Sequence, residues 1–222
     1  MHLEFSNVKK TFPAQGGRHV VLDGASFVLP QGSRIGIFGL NGAGKSTLLK
    51  LITGSEIPDS GCILRDGRFS FPIGFTGTFH PDLTARANVR FLAEIYGMDI
   101  AEVIDWVEDF AELGRYFNMP VASFSSGMYA RLAFGTSFAL DFDYYLVDEG
   151  IETGDMRFRK KCAAAFAARL DTASLVMVSH HVSTIREYCT SGAVLHEGQL
   201  HFYEGLDDAM DVYRSIFMRG DA

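Results

Sequence analysis

A glycine-rich stretch at residues 39–46, GLNGAGKS, matches the phosphate-binding pattern GxxxxGK(S/T). Its glycines let backbone N–H groups close around a phosphate, and a helix that begins near Lys45 directs its positive end at the anion. Lys45 supplies a charge for the β- and γ-phosphates, and Ser46 supplies a hydroxyl for Mg²⁺. The stretch therefore predicts a nucleotide site whose candidate residues are Gly39, Asn41, Gly42, Gly44, Lys45, Ser46 and Thr47.

Two carboxylates follow a short apolar run further along the chain. Residues 144–147, YYLV, predict a buried strand, and Asp148 and Glu149 come directly after it. After a phosphate loop this is the Walker B arrangement, in which the strand delivers Asp148 to the Mg²⁺ shell. Glu149 is then placed to polarise the attacking water as a general base. The two motifs together predict hydrolysis of a nucleoside triphosphate with Mg²⁺ as cofactor.

The elements around these motifs predict an α/β fold in which a strand-rich core is interrupted by helices. Strands are predicted at residues 20–29, 34–38, 144–147, 174–178, 193–196 and 200–203, the last two as a hairpin. Helices are predicted at residues 45–52, 84–96, 100–113, 125–140 and 206–218. We expect a single domain over residues 1–222, with a helical subdomain at about 75–140.

Composition excludes several classes of protein. The chain has 222 residues and is 47% hydrophobic, which suits one sizeable folded domain and disfavours disorder. Its net charge of −7 lacks the basic footprint of a nucleic-acid-binding or anionic-lipid-binding protein. No apolar run reaches the roughly 18 residues of a membrane span, and the first residues lack the features of a signal peptide. We expect a cytoplasmic protein without direct membrane insertion.

The cysteines do not form a recognisable framework. Cys62, Cys162 and Cys189 are scattered singly, with no CxxC pair. This spacing favours reduced, structural thiols over disulfides or a metal site.

A signature-like stretch lies between the two nucleotide motifs. Residues 123–132, SFSSGMYARL, resemble the LSGGQ signature of the ABC ATPases in the variant form FSSGM. With the phosphate loop, the helical insertion, the Walker B strand and His180, the resemblance covers nearly the whole chain in order. It implies an ATP-hydrolysing enzyme with a P-loop NTPase core of ABC ATPase type, an N-terminal antiparallel β subdomain and a helical insertion.

The resemblance implies roles for individual residues. Phe12 resembles the A-loop aromatic that stacks on adenine. Ser125 and Gly127 would face the γ-phosphate held by a second subunit, and Asp155 falls at the position of the D-loop aspartate. His180 resembles the switch histidine, which contacts the γ-phosphate and helps to orient the attacking water.

Three departures from the ABC pattern stand out. The glutamine of the Q-loop is missing, and His80 or a nearby backbone group is the candidate substitute. The D-loop at residues 150–155, GIETGD, lacks the usual small-Leu-Asp ending, and Ser126 replaces a glycine in the signature. We expect a competent ATPase because the chain retains Lys45, Asp148, Glu149 and His180.

Three stretches narrow the resemblance further. The chain resembles the ATP-binding subunits that export capsular polysaccharide in Gram-negative bacteria at residues 124–128, 141–149 and 154–162. Residues 79–84, FHPDLT, also resemble the O-antigen and teichoic acid exporters, some of which carry an extra C-terminal domain. The chain ends soon after the ATPase core, as we expect of the capsule branch. The resemblance implies a homodimer, an integral-membrane partner subunit, and a peripheral location at the cytoplasmic face of the inner membrane.

Three alternatives stay open. The substrate could be O-antigen, teichoic acid or another exported molecule, because such an exporter would share every catalytic residue. A soluble ABC ATPase acting on ribosomes or DNA would usually carry two cassettes or a long insertion, and this acidic chain has neither. A regulatory nucleotide-binding module without turnover would not need Glu149 and His180.

Overall fold

A computed structural model describes residues 1–14, 16–73, 77–148, 156–179 and 181–220. The described residues fall into two compact units. The first, here called the cleft unit, takes the described residues within Met1–Pro72, Asp143–Glu149 and Thr172–Ala222. The second, here called the helical unit, takes those within Ile73–Phe142 and Gly150–Asp171.

Each unit has its own set of elements. The strands of the cleft unit are β1 (His2–Ala14), β2 (Gly17–Pro30), β3 (Arg34–Phe38), β4 (Ser60–Asp66), β5 (Tyr144–Asp148), β6 (Ser174–Val178), β7 (Ser191–His196) and β8 (Gln199–Tyr203). Its helices are α1 (Lys45–Thr53), α6 (Val182–Tyr188) and α7 (Leu206–Gly220). The helical unit contains α2 (Ala85–Ile95), α3 (Ile100–Ala111), α4 (Ser126–Ala139) and α5 (Met156–Leu170), with 3₁₀ turns at Gly114–Asn118 and Val121–Ser123.

An antiparallel sheet at the N-terminus has the strand order β2-β1-β4. Leu3, Phe5 and Val8 of β1 are buried and belong to the hydrophobic core of the cleft unit. The β1–β2 register shifts between Phe5 and Val8, between Val8 and Lys9, and between Lys10 and Thr11. Such irregularities bend and twist a strand. This sheet confirms the expected N-terminal antiparallel β subdomain.

A second sheet forms the centre of the cleft unit, with the strand order β5-β6-β3-β7-β8. The first four strands are parallel, and β7 and β8 form an antiparallel hairpin. The apolar runs of β5 and β6 are buried, as expected for strands covered on both faces. Because β3 and β5 are parallel members of one sheet, their carboxyl ends lie at the same edge, where α/β proteins bind ligands.

Side chains hold the outer strand β5 in place. Ser70 makes two hydrogen bonds with β5. Its backbone N–H donates to the Tyr144 carbonyl (2.9 Å), and its side-chain Oγ accepts from the Leu146 N–H (2.9 Å). The Tyr144 hydroxyl donates to the Leu29 carbonyl over 2.8 Å. These bonds satisfy polar groups at a buried sheet edge and fix the strand that carries Asp148.

The helical unit is assembled from capped helices around aromatic side chains. Thr84 caps α2 by accepting from the Ala87 N–H (3.1 Å), and Asp99 caps α3 by accepting from the Glu102 N–H (2.9 Å). The Phe110 ring of α3 makes edge contacts with rings on α4 and α5, with centroids 5.7 Å apart in each case. Helices predicted at residues 84–96, 100–113 and 125–140 correspond to α2, α3 and α4.

The described helices include none that is long and apolar enough to cross a membrane. The cysteines are free, as expected, and Cys162 and Cys189 are buried. Cys62, on β4, is exposed, and its structural role stays a prediction.

Candidate nucleotide-binding site

The phosphate loop connects the central strand β3 to helix α1, as predicted. Gly44 is the N-cap of α1 and has a left-handed backbone, with φ of 105°. Gly44 has no side chain that could cap the first N–H groups of this helix. These N–H groups and the positive end of the helix dipole therefore face the loop as an anion-binding surface.

Two glycines of the loop have no room for a side chain. A Cβ on Gly44 would overlap the Val21 side chain, and the positive φ would strain any other residue there. A Cβ on Gly39 would lie 2.7 Å from the Leu195 carbonyl oxygen. The backbone of the loop is therefore packed directly against β2 and β7, and this tight cradle fits a bound phosphate group.

Lys45 is almost completely buried, with 9% of its surface exposed. Its ammonium donates to the Gly39 carbonyl (2.8 Å) and to the Leu40 carbonyl (3.0 Å), so the side chain folds back across the loop. A buried cation needs such acceptors, and a phosphate placed in the loop would supply stronger ones. The geometry thus presents the charge of Lys45 to the space that the loop encloses.

A cleft of about 320 Å³ opens over the loop, at the lower end of the range of about 300–1,000 Å³ for small-molecule sites. Asp148 lines it from the end of β5, and Ser46 lines it from the first turn of α1. The cleft is lined by Phe12, His19, Val21, Asn41, Gly42, Gly44, Lys45, Ser46, Thr47, Asp148 and Val178. A carboxylate and a hydroxyl at one cleft are oxygen ligands of the kind that Mg²⁺ takes, so the donor set fits this ion.

Phe12 lines the cleft from β1 and also packs against the core of the cleft unit. The Lys10 ammonium lies over its ring, 4.9 Å from the centroid. Lys10 is in turn fixed by Glu56 Oε1 at 2.6 Å and by the Ile57 carbonyl at 2.8 Å. The hydrogen bond between Lys10 and Glu56 raises the pKa of the amine and lowers the pKa of the carboxyl, so both stay charged near neutral pH.

His19 is a cleft residue that the sequence motifs did not reveal. It lies on β2 directly opposite Phe12, and Val21, two residues further along the same strand, also lines the cleft. The sequence pattern that could have indicated this role is the aromatic ring of His19, which follows Phe12 across a glycine-containing turn. The strand register needed to use that pattern was not apparent from the sequence.

The signature residues lie in the helical unit. Ser125 is the N-cap of α4, and its Oγ accepts from the Met128 N–H over 3.3 Å. Ser125 is exposed, and a Cβ on Gly127, in the first turn of α4, would meet only Ser125 Oγ, at 4.0 Å. These residues therefore form an accessible helix N-terminus, a feature that attracts anions.

Three predicted site residues, Glu149, Asp155 and His180, lie outside the described residues. The neighbouring His181 is the N-cap residue of α6. His80 is described in the helical unit, where its Nδ1 accepts from the Asp82 N–H over 3.3 Å. Its suggested role as a Q-loop substitute stays a prediction.

The chain matches the ABC transporter family over residues 22–152. The polysialic acid transport ATP-binding protein KpsT of Escherichia coli is 43% identical over 96% of this chain and 98% of its own length. The capsule polysaccharide export ATP-binding protein CtrD of Neisseria meningitidis serogroup B is 42% identical over 96% of this chain and 99% of its own length.

Solved structures show the same fold. An ATP-binding subunit of an ABC transporter superposes with a TM-score of 0.79, with 25% identity, over 96% of this chain and 100% of that chain. A dimeric ATP-binding cassette, MJ0796, in a post-hydrolysis state with ADP and Pi, superposes with a TM-score of 0.78, with 22% identity, over 92% of this chain and 98% of that chain. The chain therefore belongs to the ABC transporter family, and it is an ABC-type ATPase that binds ATP.

Proposed function

We propose that this chain is the ATP-hydrolysing subunit of an ABC transporter that exports capsular polysaccharide across the inner membrane of a Gram-negative bacterium. The observation that carries this proposal is the similarity to KpsT and CtrD, at 42–43% identity over nearly the full length of both proteins. The cleft supports the ATPase part of the proposal, since it joins a phosphate loop to an acidic strand end.

In the proposed site, the loop backbone and the N-terminus of α1 hold the phosphates, and the Lys45 ammonium balances their charge. Ser46 and Asp148 would hold Mg²⁺, with Thr47 beside Ser46 in the first turn of α1. Mg²⁺ supplies charge neutralisation at the β- and γ-phosphate oxygens. Phe12, which also lines the cleft, stacks on adenine.

The proposed chemistry also needs residues for which the sequence is the support. Glu149 directly follows Asp148 and acts as the general base that polarises the attacking water. His180 follows Val178, a cleft residue, by two positions and contacts the γ-phosphate. Asp155 belongs to the D-loop, whose role is contact between subunits.

Two copies of the chain form the working unit in this proposal. The exposed N-terminus of α4, with Ser125 and Gly127, faces the γ-phosphate bound in the cleft of the second copy. The dimeric cassette MJ0796 supports this arrangement through its fold alone. The dimer that is closed around ATP and the dimer that is open after hydrolysis then differ in their affinity for ATP. This difference in affinity couples hydrolysis to a partner.

The partner is an integral-membrane transporter subunit, and the ATPase lies against it at the cytoplasmic face of the inner membrane. The helical insertion, at about residues 75–140 of a single ABC domain, makes this contact. No nucleic acid is involved, in keeping with the net charge of −7.

The test is a Lys45→Ala substitution at the chromosomal locus, with surface and intracellular acidic polysaccharide measured separately. Lys50→Ala, an exposed residue on the same helix, is the matched control. Polymer that disappears from the surface and accumulates inside the cell only in the Lys45 variant supports the proposal. Unchanged surface polymer in that variant would overturn the assignment of the cargo.

A further inference from the structure

The cleft holds a second aromatic ring beside the adenine-stacking phenylalanine. Phe12 of β1 and His19 of β2 are direct cross-strand partners. Opposite residues in an antiparallel pair project from the same face, with Cβ atoms roughly 4.5–5.5 Å apart. Both residues line the cleft, so the two rings stand side by side on one wall of it.

On β2, His19 lines the cleft and the residues directly before and after it do not. His19 and Val21 are two residues apart and both line the cleft, whereas Arg18 and Val20 are absent from its lining. Val21 lies at the register shift between Lys10 and Thr11, so the alternation of the strand is interrupted there. The cleft side of His19 follows instead from its own pairing with Phe12, which also lines the cleft.

The hairpin is anchored where it carries Phe12. Lys10 stands over the Phe12 ring and is fixed by Glu56, and the Thr11 N–H donates to Asp59 Oδ2 over 2.8 Å. These contacts tie β1 to the segment that follows α1, the helix of the phosphate loop. The distance between the pair of rings and the loop is thereby restrained.

We propose that His19 is a nucleotide-binding residue that packs its imidazole against the nucleoside part of ATP, next to Phe12. This inference rests on the proposed function, because it takes the cleft to be the ATP site. A flat imidazole suits a flat base, and it adds a hydrogen-bonding edge that phenylalanine lacks. The phosphates are held elsewhere, by the loop and Lys45, so His19 should affect only ligands that carry a nucleoside.

The experiment compares a probe that carries a nucleoside with a probe that lacks one. ADP and inorganic pyrophosphate, each with Mg²⁺, are titrated calorimetrically into the purified chain. His19→Ala should weaken ADP binding about tenfold, within the range measured for the loss of one base–aromatic stack, and leave pyrophosphate binding unchanged. His19→Phe, which keeps a flat ring, should retain most of the ADP affinity.

Arg18→Ala is the matched control, since Arg18 is the exposed neighbour that does not line the cleft. It should leave both affinities unchanged, and equal thermal stability of the three variants would confirm that the hairpin is intact. Any of three results would overturn the inference. They are an unchanged ADP affinity in His19→Ala, an equal loss of affinity for both probes in that variant, and a full loss of ADP affinity in His19→Phe. Lys45→Ala should weaken both probes, and failure of that result would instead overturn the proposed nucleotide site.

Discussion

The cleft unit and the helical unit present their functional residues in opposite ways. In the cleft unit, Lys45 is 9% exposed and bonded to two carbonyls of its own loop, and Asp148 ends a buried strand. In the helical unit, Ser125 is exposed at a helix N-terminus, and Gly127, two residues further on, has room for a Cβ. The first set is enclosed by its own chain, whereas the second is open to a partner.

This difference predicts different consequences for substitutions in the two units. Residues enclosed by one chain should determine how that chain binds a nucleotide. Residues that face outward should matter only when a second copy brings its nucleotide to them. Variants in the cleft unit should therefore lose binding and hydrolysis together, and variants at the N-terminus of α4 should lose hydrolysis while binding persists.

The largest effect is expected for Lys45→Ala. Removing the buried cation takes away charge stabilisation of the transferred phosphoryl group, so ATP hydrolysis should fall by about a thousandfold. The measurement is phosphate release by the purified chain, with Lys50→Ala as the control on the same helix. Hydrolysis within a few fold of the wild-type rate would show that the loop is not the site of the reaction.

Gly127→Asp should give the next largest effect. The new carboxylate would repel the γ-phosphate of the second copy, so hydrolysis should fall by about a hundredfold. A Cβ on Gly127 would meet only Ser125 Oγ, at 4.0 Å, so the substitution should leave the fold intact. Nucleotide affinity, measured by titration of the single chain, should be unchanged, and a matching loss of affinity would contradict the separation of the two sets of residues.

Glu112 gives a smaller, pH-dependent test of the helical unit. Hydrogen bonding to Lys161 over 2.9 Å, with Arg157 and Arg131 nearby, lowers the pKa of the Glu112 carboxyl. Its stabilising contribution is therefore present above the ordinary pKa and is lost as the pH falls through the lowered value. Glu112→Gln should lower the Tm by no more than a few degrees at pH 7.

The control for Glu112→Gln is Asp105→Asn, an exposed acidic residue of α3, the helix whose C-cap is Glu112. It should leave the Tm unchanged at both neutral and acidic pH. The difference between Glu112→Gln and the wild-type chain should shrink as the pH falls below about 4.5. A difference that grows at acidic pH would show that the carboxylate charge is not what stabilises this cluster.

The smallest expected change concerns the cysteines of both units. Burial raises the pKa of the Cys162 and Cys189 thiols to about 12, so neither forms the reactive thiolate near pH 8. A water-soluble thiol reagent should label the exposed Cys62 in the native protein and all three cysteines after denaturation. Cys62→Ser should abolish native labelling and leave ATP hydrolysis unchanged, and residual native labelling would mean that a buried thiol is reached.

Much of the nucleotide site was predictable because its signals are local. The loop at residues 39–46 lies between a short apolar strand and a helix start, and Asp148 closes an apolar run. Contiguous patterns of this kind indicate the secondary structure of the segment that carries them. The same holds for Ser125, which precedes the periodic apolar positions of α4 and serves as its N-cap.

Features that depend on distant pairing were missed. β1 was not predicted because its register shifts break the alternation of apolar residues, and β4 was missed because its residues are mostly exposed. The helices α5 and α6 were also not predicted. His19 could not be placed in the cleft without the β1–β2 register, which the irregularities of β1 determine.

The most direct test of the two-copy site is complementation between two inactive chains. Lys45→Ala and Gly127→Asp chains carrying different tags are co-expressed with the transporter partner, and mixed dimers are isolated by tandem purification. If each cleft is completed by the α4 N-terminus of the other copy, one of the two sites has both intact parts. Mixed dimers should then have about half of the wild-type ATPase activity, and either parent should have almost none. Mixed dimers as inactive as both parents would contradict the completion of each cleft by the other copy.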